Sequence, residues 1–567
     1  MPHDRRMLRP FTSLLGAATA LGLVLGASPA AALTLSAMAS PDLDAAIAAE
    51  GLGEPTDVGV LPDGRIVVIE RQGNVKTFTL GMDDPVQDHI DVDSSHNERG
   101  LLGLVIDPDF ATTQFIYVYA SQGNDADNRQ KILRYKLGAD GKLSGMTPVV
   151  TMGLMGPANH NGGGISLYKN TLFIGVGDTG ANATPPQNHF GSCLNHANGK
   201  VLRVSLDEAT LGQPPADNPL VNETMVTGCD GTNGDNGAFG MRPPEKRIYA
   251  WGFRNPFRLW ADPTTGKVWV GDVGETTKEE IDVVDKGKHY GYPFWEGTVE
   301  YNQAFKPANG GCMGMVPATP CVPPAIDHDR GGGGAVIGGR ILDGCGWPDA
   351  WKKRYIFGDH EQGKVWVADV NDTRDGLVAN SRKDFASSSN VVAMRMGTDN
   401  ALYVVERGGG RVTRITAKAA PPATANSCPD INGAPAGGGG GGGGTGGAGG
   451  TGTGGSANPG TAGNAPGTGG SGNATAGTSN TNPSGGNAPT TGGSGNTGTA
   501  GSSSTGTSGS GTTTNGGSGG GASDTGEDSG CGCRAPGGAK GSSLGALAAL
   551  GAALGVALQR RRRARRS

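Results

Sequence analysis

From about residue 35 to residue 418 the chain alternates short aliphatic and aromatic runs with Gly, Pro, Asp and Asn. That punctuation is the mark of short strands joined by tight turns. One unit recurs: a turn such as Asp-Pro or Pro-Asp-Gly, an apolar strand, a Gly-containing turn and a second strand. It reads LPDGRIVVIERQGNVKTF from Leu61, IDPDFATTQFIYVYAS from Ile106, LYKNTLFIGVGD from Leu167 and ADPTTGKVWVGDVGE from Ala261. It returns as RYIFGDHEQGKVWVADV from Arg354 and GTDNALYVVERGGGRVTRI from Gly397. Amphipathic helical patterning is scarce, and Asp42–Ala49 is its best candidate.

Six copies at roughly 60-residue spacing exceed the 40–50 residues of compact propeller repeats, with the excess going to loops. The pattern predicts an all-β, six-bladed β-propeller over residues 40–418, since radial closure leaves no long exposed sheet edge. A β-sandwich or a solenoid is the alternative. Propeller ligands sit on the central axis, so functional residues are expected to be scattered in sequence and to converge at one end of the channel.

The two ends of the chain read differently. Arg5, Arg6 and Arg9 precede a small apolar run, and Ala30-Ala31-Ala32 offers a cleavage site; residues 1–32 are expected to be a signal peptide. Residues 430–530 are almost wholly Gly, Ser, Thr, Asn, Ala and Pro, a composition that cannot bury enough apolar area to fold and that predicts a disordered spacer. Residues 531–567 hold Cys531 and Cys533, an apolar stretch from Leu544 to Leu558 that predicts a short hydrophobic helix, and a terminal arginine cluster. This order resembles MYXO-CTERM sorting tails. The resemblance implies envelope sorting and processing machinery as a partner, a location at the cell surface or outside the cell, and membrane contact through the tail alone.

Export changes how the cysteines are read. Cys193, Cys229, Cys312, Cys321, Cys345 and Cys428 contain no CxxC pair, so disulfides are expected rather than a metal site. Cys312 and Cys321 close a short loop and are the first pair expected; the rest stay open, because six cysteines allow fifteen connectivities. The formal charge of −5 becomes about −13 once the six C-terminal arginines and the net +2 of residues 1–32 are set aside. So acidic a body argues against nucleic acid as a partner, which calls for clustered Lys and Arg. It suits calcium, a cation of oxygen ligands.

Four Gly-rich segments carry polar groups: NERGLLGLVIDPDF from Asn97, NHNGGGISLYKNTLFIGVGD around His160, WGFRNPFRLW from Trp251 running on to HYGYPFWEG, and GGRI followed by RYIFGDHEQGKVW. In these segments the chain resembles the glucose/sorbosone dehydrogenase family over roughly residues 50–415. The ordered series RGLLG, HNGG…GD, RNP and HYGYP carries that resemblance jointly.

The resemblance implies pyrroloquinoline quinone (PQQ) and calcium as cofactors. It also implies an aldose as substrate, oxidised to its lactone, and an electron acceptor that the sequence does not identify. His160 falls where the family has its general base, with Asn159 beside it. An imidazole suits the task because its ordinary pKa lies near neutrality. Arg254 and Asn255 match the Arg-Asn pair facing the quinone, where a guanidinium stabilises arriving negative charge. Gly274 and Glu275 match the turn that offers carbonyls to calcium, and Glu98 the polar position lining the pocket. Blades five and six depart from the family. His360, Glu361 and Gln362 stand where a cofactor-binding Lys is expected, Lys364 lies on the strand, and only Arg395 is near the place of an Arg-x-Arg pair. This region looks more like hedgehog-interacting propellers. A non-catalytic surface propeller binding carbohydrate or protein, and a calcium-dependent propeller lactonase, are the competing functions.

Overall fold

The computed structural model describes residues 32–418 except 83, 124–128, 155–158, 181–189, 230–238, 302–311, 313–316, 318, 332, 344–346 and 389. The signal peptide, the spacer, the C-terminal tail, Cys345 and Cys428 lie outside the described residues.

Six antiparallel sheets of four or five strands, supplemented by two small two-stranded ones, account for the described strands. Blade one runs Pro55–Val60, Ile66–Glu70, Asn74–Phe78 and Val86–His89, each strand pairing with the next. Blade two begins at Leu101–Ile106, blade three at Ile165–Tyr168 and blade four at Pro256–Ala261. Blade five begins at Val336–Leu342 and blade six at Val391–Met396. These first strands touch one another in a closed ring, the last returning to the first. They therefore line the axis, and the six repeats each became a blade.

Asp42–Ala49 is a correction. Its Ala-rich sequence favours a helix, yet Leu43–Ala49 is a strand that pairs with Arg411–Ala417 as the outer strand of blade six. Closing the ring with a strand from the other end of the propeller supplies ladder hydrogen bonds that outweigh the weak local preference. Thr34–Leu35 adds in the same way to the edge of blade five, against Ala386 and Ser387.

The core lies between blades. Tyr117 and Tyr119 of blade two pack with Ile165, Ile174 and Val176 of blade three, while Trp269 of blade four stacks on Tyr355 of blade five at 4.5 Å between ring centroids. Each fully buried aliphatic side chain contributes about 1.5–3 kcal/mol, so the blades hold one another. Among the described residues two disulfides are formed, Cys312–Cys321 as expected and Cys193–Cys229.

Arg258 divides the channel. It leaves blade four, and its Nε and one terminal nitrogen reach across the axis to Val392 O of blade six at 2.8 Å and Thr56 O of blade one at 2.7 Å. Beside it Phe257 packs against three inter-blade clusters. The channel thus has two separate ends.

Candidate active site

One end gathers the groups at which the first strands start and the second strands finish. The second strands of blades three, four and five each end at or just before Gly-Asp: Gly177-Asp178, Gly271-Asp272 and Gly358-Asp359. Each aspartate is buried and fixes a neighbouring segment. Asp178 Oδ1 lies 2.7 Å from His160 Nδ1 and accepts from the Gly180 amide at 2.9 Å. Asp272 accepts from the Arg254 amide at 2.9 Å and the Asn255 amide at 2.6 Å. Asp359 holds His328 Nε2 at 3.0 Å and accepts from the Glu361 and Gln362 amides.

His160 is the centre of this end. Its backbone is left-handed, with φ +57°, and its amide donates to Glu98 Oε2 at 2.6 Å. A Cβ on Gly177 would stand 2.0 Å from His160 O, and one on Gly180 would stand 3.0 Å from the ring. Those glycines let the loop close round the imidazole. With Nδ1 tied to Asp178, the buried Nε2 has no hydrogen-bond partner among the described residues, and the same holds for Thr179 Oγ1. A buried imidazole nitrogen left without a partner is costly unless a ligand completes it.

Glu98 and Asn255 complete the support. Asn255 Nδ2 donates to Glu98 Oε2 at 3.3 Å, while Asn255 Oδ1 accepts from the Gly162 amide at 3.0 Å. Burial raises the Glu98 carboxyl above the usual range, against the pull of His160 and Arg254. The structure therefore brings Glu98, His160, Arg254 and Asn255 together. Asn159 lies half-buried beside them, its backbone carbonyl against Gly180.

Gly274 and Glu275 have a different task from the one expected. The Gly274 carbonyl accepts from Arg254 at 2.6 Å and also from Arg330. Glu275 Oε2 takes Arg254 Nε at 3.0 Å and the Tyr292 hydroxyl at 3.1 Å. Burial would lift the Glu275 carboxyl, but the charge and hydrogen bond of Arg254, together with the carboxyl's other partners, hold it at about 2. A carbonyl facing two guanidiniums is a poor calcium ligand, so calcium at Gly274 and Glu275 does not fit this geometry. Oxygen donors suited to a divalent cation lie elsewhere. Asp272, Glu280 and Asp282 are buried with one carboxylate oxygen of each within 4.8 Å of the others. Both Asp282 oxygens and Glu280 Oε2 have no hydrogen-bond partner among the described residues.

The cations of this end are also not those expected. Arg395 points to the other end, where it forms two hydrogen bonds to buried Asp57 at 2.9 and 2.6 Å. His360 is buried, its ring held down to about 4 by that burial, and bonds Val391 O at 3.1 Å. The guanidiniums near Glu361 are those of Arg330 and Arg407, whose charges oppose the upward push of burial on that carboxyl. Arg330 pairs with Glu279 at 3.3 Å, and Arg407 pairs with Glu54. The orphaned Nε2 of His160 fits a ligand that donates a proton, such as a hydroxyl, while the guanidiniums of Arg254, Arg330 and Arg407 suit an anionic ligand such as a polycarboxylate quinone.

Asp178, Asp272, Tyr292, Arg330 and Arg407 were not singled out from the sequence. The repeated Gly-Asp at second-strand ends was the available signal for the two aspartates.

Comparisons with known proteins give the family and the fold. The aldose sugar dehydrogenase of Escherichia coli strain K12 is 26% identical over 378 residues, covering 64% of this chain and 90% of that protein. Quinoprotein glucose dehydrogenase B of Acinetobacter calcoaceticus is 26% identical over 285 residues, covering 45% of this chain and 53% of its own length. The apo crystal structure of the soluble E. coli aldose sugar dehydrogenase shares the fold with a TM-score of 0.51 at 23% identity, over 66% of this chain and 99% of that one. The family model for glucose/sorbosone dehydrogenases matches residues 52–414, and the chain belongs to that family.

Proposed function

We propose that the protein is a PQQ-dependent aldose dehydrogenase that oxidises the C1 hydroxyl of a sugar to the lactone, with His160 as the base. The observation that carries this is the His160–Asp178 pair at 2.7 Å, with His160 Nε2 buried and unpartnered beside Arg254 and Asn255. Family membership and the quinoprotein among its relatives support the same reading.

When bound, PQQ supplies the hydride acceptor; the rest is done by this chain. Asp178 fixes the tautomer with the proton on Nδ1, which leaves Nε2 as the acceptor for the sugar hydroxyl proton. Once protonated, the imidazolium is stabilised by Asp178 below it and by Glu275, whose carboxylate stays ionised. Arg254 keeps its charge because Glu275, Asp178 and its other partners together outweigh the burial that would neutralise it, so it can oppose negative charge growing on a bound acceptor. Arg330 and Arg407 are the cations we assign to cofactor carboxylates in place of the missing Lys and Arg pair. Calcium fits Asp272, Glu280 and Asp282 better than Gly274 and Glu275.

The two disulfides support work outside the reducing cytoplasm. A non-catalytic surface propeller is favoured by one observation: Glu361 stands where cofactor carboxylates call for a cation. Loading the purified protein with PQQ and calcium and following dye reduction with several aldoses decides between the two. Quinone uptake with aldose-dependent reduction supports the dehydrogenase; neither uptake nor reduction removes it.

A further inference from the structure

The turn that carries Glu275 closes on the carboxylate of Glu296, a side chain only 2% exposed. Four consecutive amides converge on one of its oxygens. Glu296 Oε1 accepts from Glu275 at 2.6 Å, Thr276 at 2.8 Å, Thr277 at 2.9 Å and Lys278 at 3.2 Å. Oε2 accepts from the hydroxyls of Thr277 at 2.7 Å and Thr276 at 3.3 Å. The ammonium of Lys278 goes elsewhere, to Asp327 at 3.5 Å and Asp329 at 2.9 Å. Backbone dipoles and hydroxyls thus face this carboxylate, an anion-binding concavity filled from within the chain.

A run of amides aimed at one point is opposed by its own dipoles unless a negative charge sits there, and an ionised acceptor binds them more strongly than a neutral one. Glu296 reaches that point from a small hairpin, Trp295–Glu296 against Val299–Glu300. Asp327 pins the tip of the hairpin by accepting from the Thr298 amide at 2.8 Å and its hydroxyl at 2.6 Å. The fit is tight enough that a Cβ on Gly274 would stand 2.7 Å from Glu296 Oε1.

The shape of this turn decides where one group of the site lies. The Arg254 side chain is held by Val273 O at 3.0 Å, Gly274 O at 2.6 Å and Glu275 Oε2 at 3.0 Å. The two carbonyls directly follow the strand Val268–Asp272, which places them. Glu275 is placed by the turn, and its amide makes the shortest of the four bonds to Glu296. The Glu296 charge also works against the burial that lowers the Arg330 guanidinium.

We propose that Glu296 is a positioning residue for the dehydrogenase reaction, holding Glu275 where its carboxylate fixes Arg254. It acts through Glu275 and not on the reacting atoms, and this role presupposes the function proposed above.

The test is a double-mutant cycle on the full-length protein, with Glu296→Gln, Glu275→Gln and the pair loaded with PQQ and calcium and compared at matched quinone content. Glu296→Gln keeps the shape and removes the charge, and turnover is expected to fall roughly 10- to 100-fold through misplacement of Arg254. On the Glu275→Gln background the same change is expected to cost less than about threefold, because a residue acting through Glu275 has nothing left to position. Penalties that multiply independently overturn the proposal; a brace of the fold alone would give that result. The crystal structure of cofactor-free Glu296→Gln is a second readout. Loss of the Arg254–Glu275 hydrogen bond supports the role, and an unchanged contact overturns it. If Glu296→Gln does not fold, Glu296→Asp, one methylene short of the amides, takes its place with the same outcomes. Wild-type protein that neither takes up quinone nor oxidises aldose removes the dehydrogenase reading and this role together, whereas wild-type turnover with independent penalties removes the role of Glu296 alone.

Discussion

At the end of the channel where the first strands begin, second-strand carboxylates hold the working groups in place. Asp178 anchors His160, Asp272 anchors Arg254 and Asn255 through their amides, and Glu98 links the two. At the other end the wall carries two arginines, Arg340 and Arg395, the second paired with buried Asp57. Both ends are made by the same six strands. The difference lies in where the polar groups come from: Gly-Asp turns after the strands at one end, and at the other side chains projecting from the strands themselves. A propeller can therefore change the chemistry of one end without rebuilding the other.

The largest effect expected at the first end comes from Asp178. Asp178→Asn keeps the shape but loses the charge that fixes and stabilises the His160 ring, and turnover should fall by roughly 10³-fold. The pH profile of turnover should move with it, which a purely structural role would not cause. Steady-state dye reduction from pH 5 to pH 9 checks both.

At the second end, Arg395→Met strips buried Asp57 of its ion pair. The protein should lose about 3 kcal/mol of stability, the cost of leaving a buried charge unpaired. Denaturant unfolding measures this, and any change in turnover should only follow the stability loss. Equal damage to turnover at matched folded fraction would break the separation of the two ends.

The effect that is smallest per unit of pH belongs to Glu279, beneath the first end. Burial raises its carboxyl to about 8 from the ordinary 4.5, although Arg330 pulls the other way. The folded state thus holds this proton more tightly than the unfolded chain. The stability it contributes is complete below pH 4.5 and is lost as the pH rises through 8. Glu279→Gln should remove up to about 1.4 kcal/mol per pH unit from the slope in that window. Melting curves at pH 5 and pH 9 should show the variant gaining on the wild type at pH 9.

Much of this was legible in the residues. The recurring turn-strand-turn unit gave the blades because strand alternation and turn chemistry are local. The motifs around Glu98, His160, Arg254 and Asn255 marked the candidate site only jointly, through the ordered series that resembles the glucose/sorbosone dehydrogenase family, since each alone is ordinary turn chemistry. Leu43–Ala49 was not legible as a strand, because its partner Arg411–Ala417 lies at the far end of the propeller sequence. Arg395 failed on its place along the strand. As the fifth residue of Val391–Met396 it lies at the end opposite to where the first strands begin, where it pairs with Asp57. The cations that flank Glu361 could not be foreseen, because Arg330 and Arg407 sit in loops that only the closed ring brings together.

The account rests on His160 as the base at the first end. Its most direct test compares wild type and His160→Ala, both loaded with PQQ and calcium and matched for bound quinone by absorbance, in aldose-dependent dye reduction. The expected result is equal quinone content with turnover at least about 10³-fold lower in the variant. Equal turnover in the two proteins, at equal quinone content, would contradict the account.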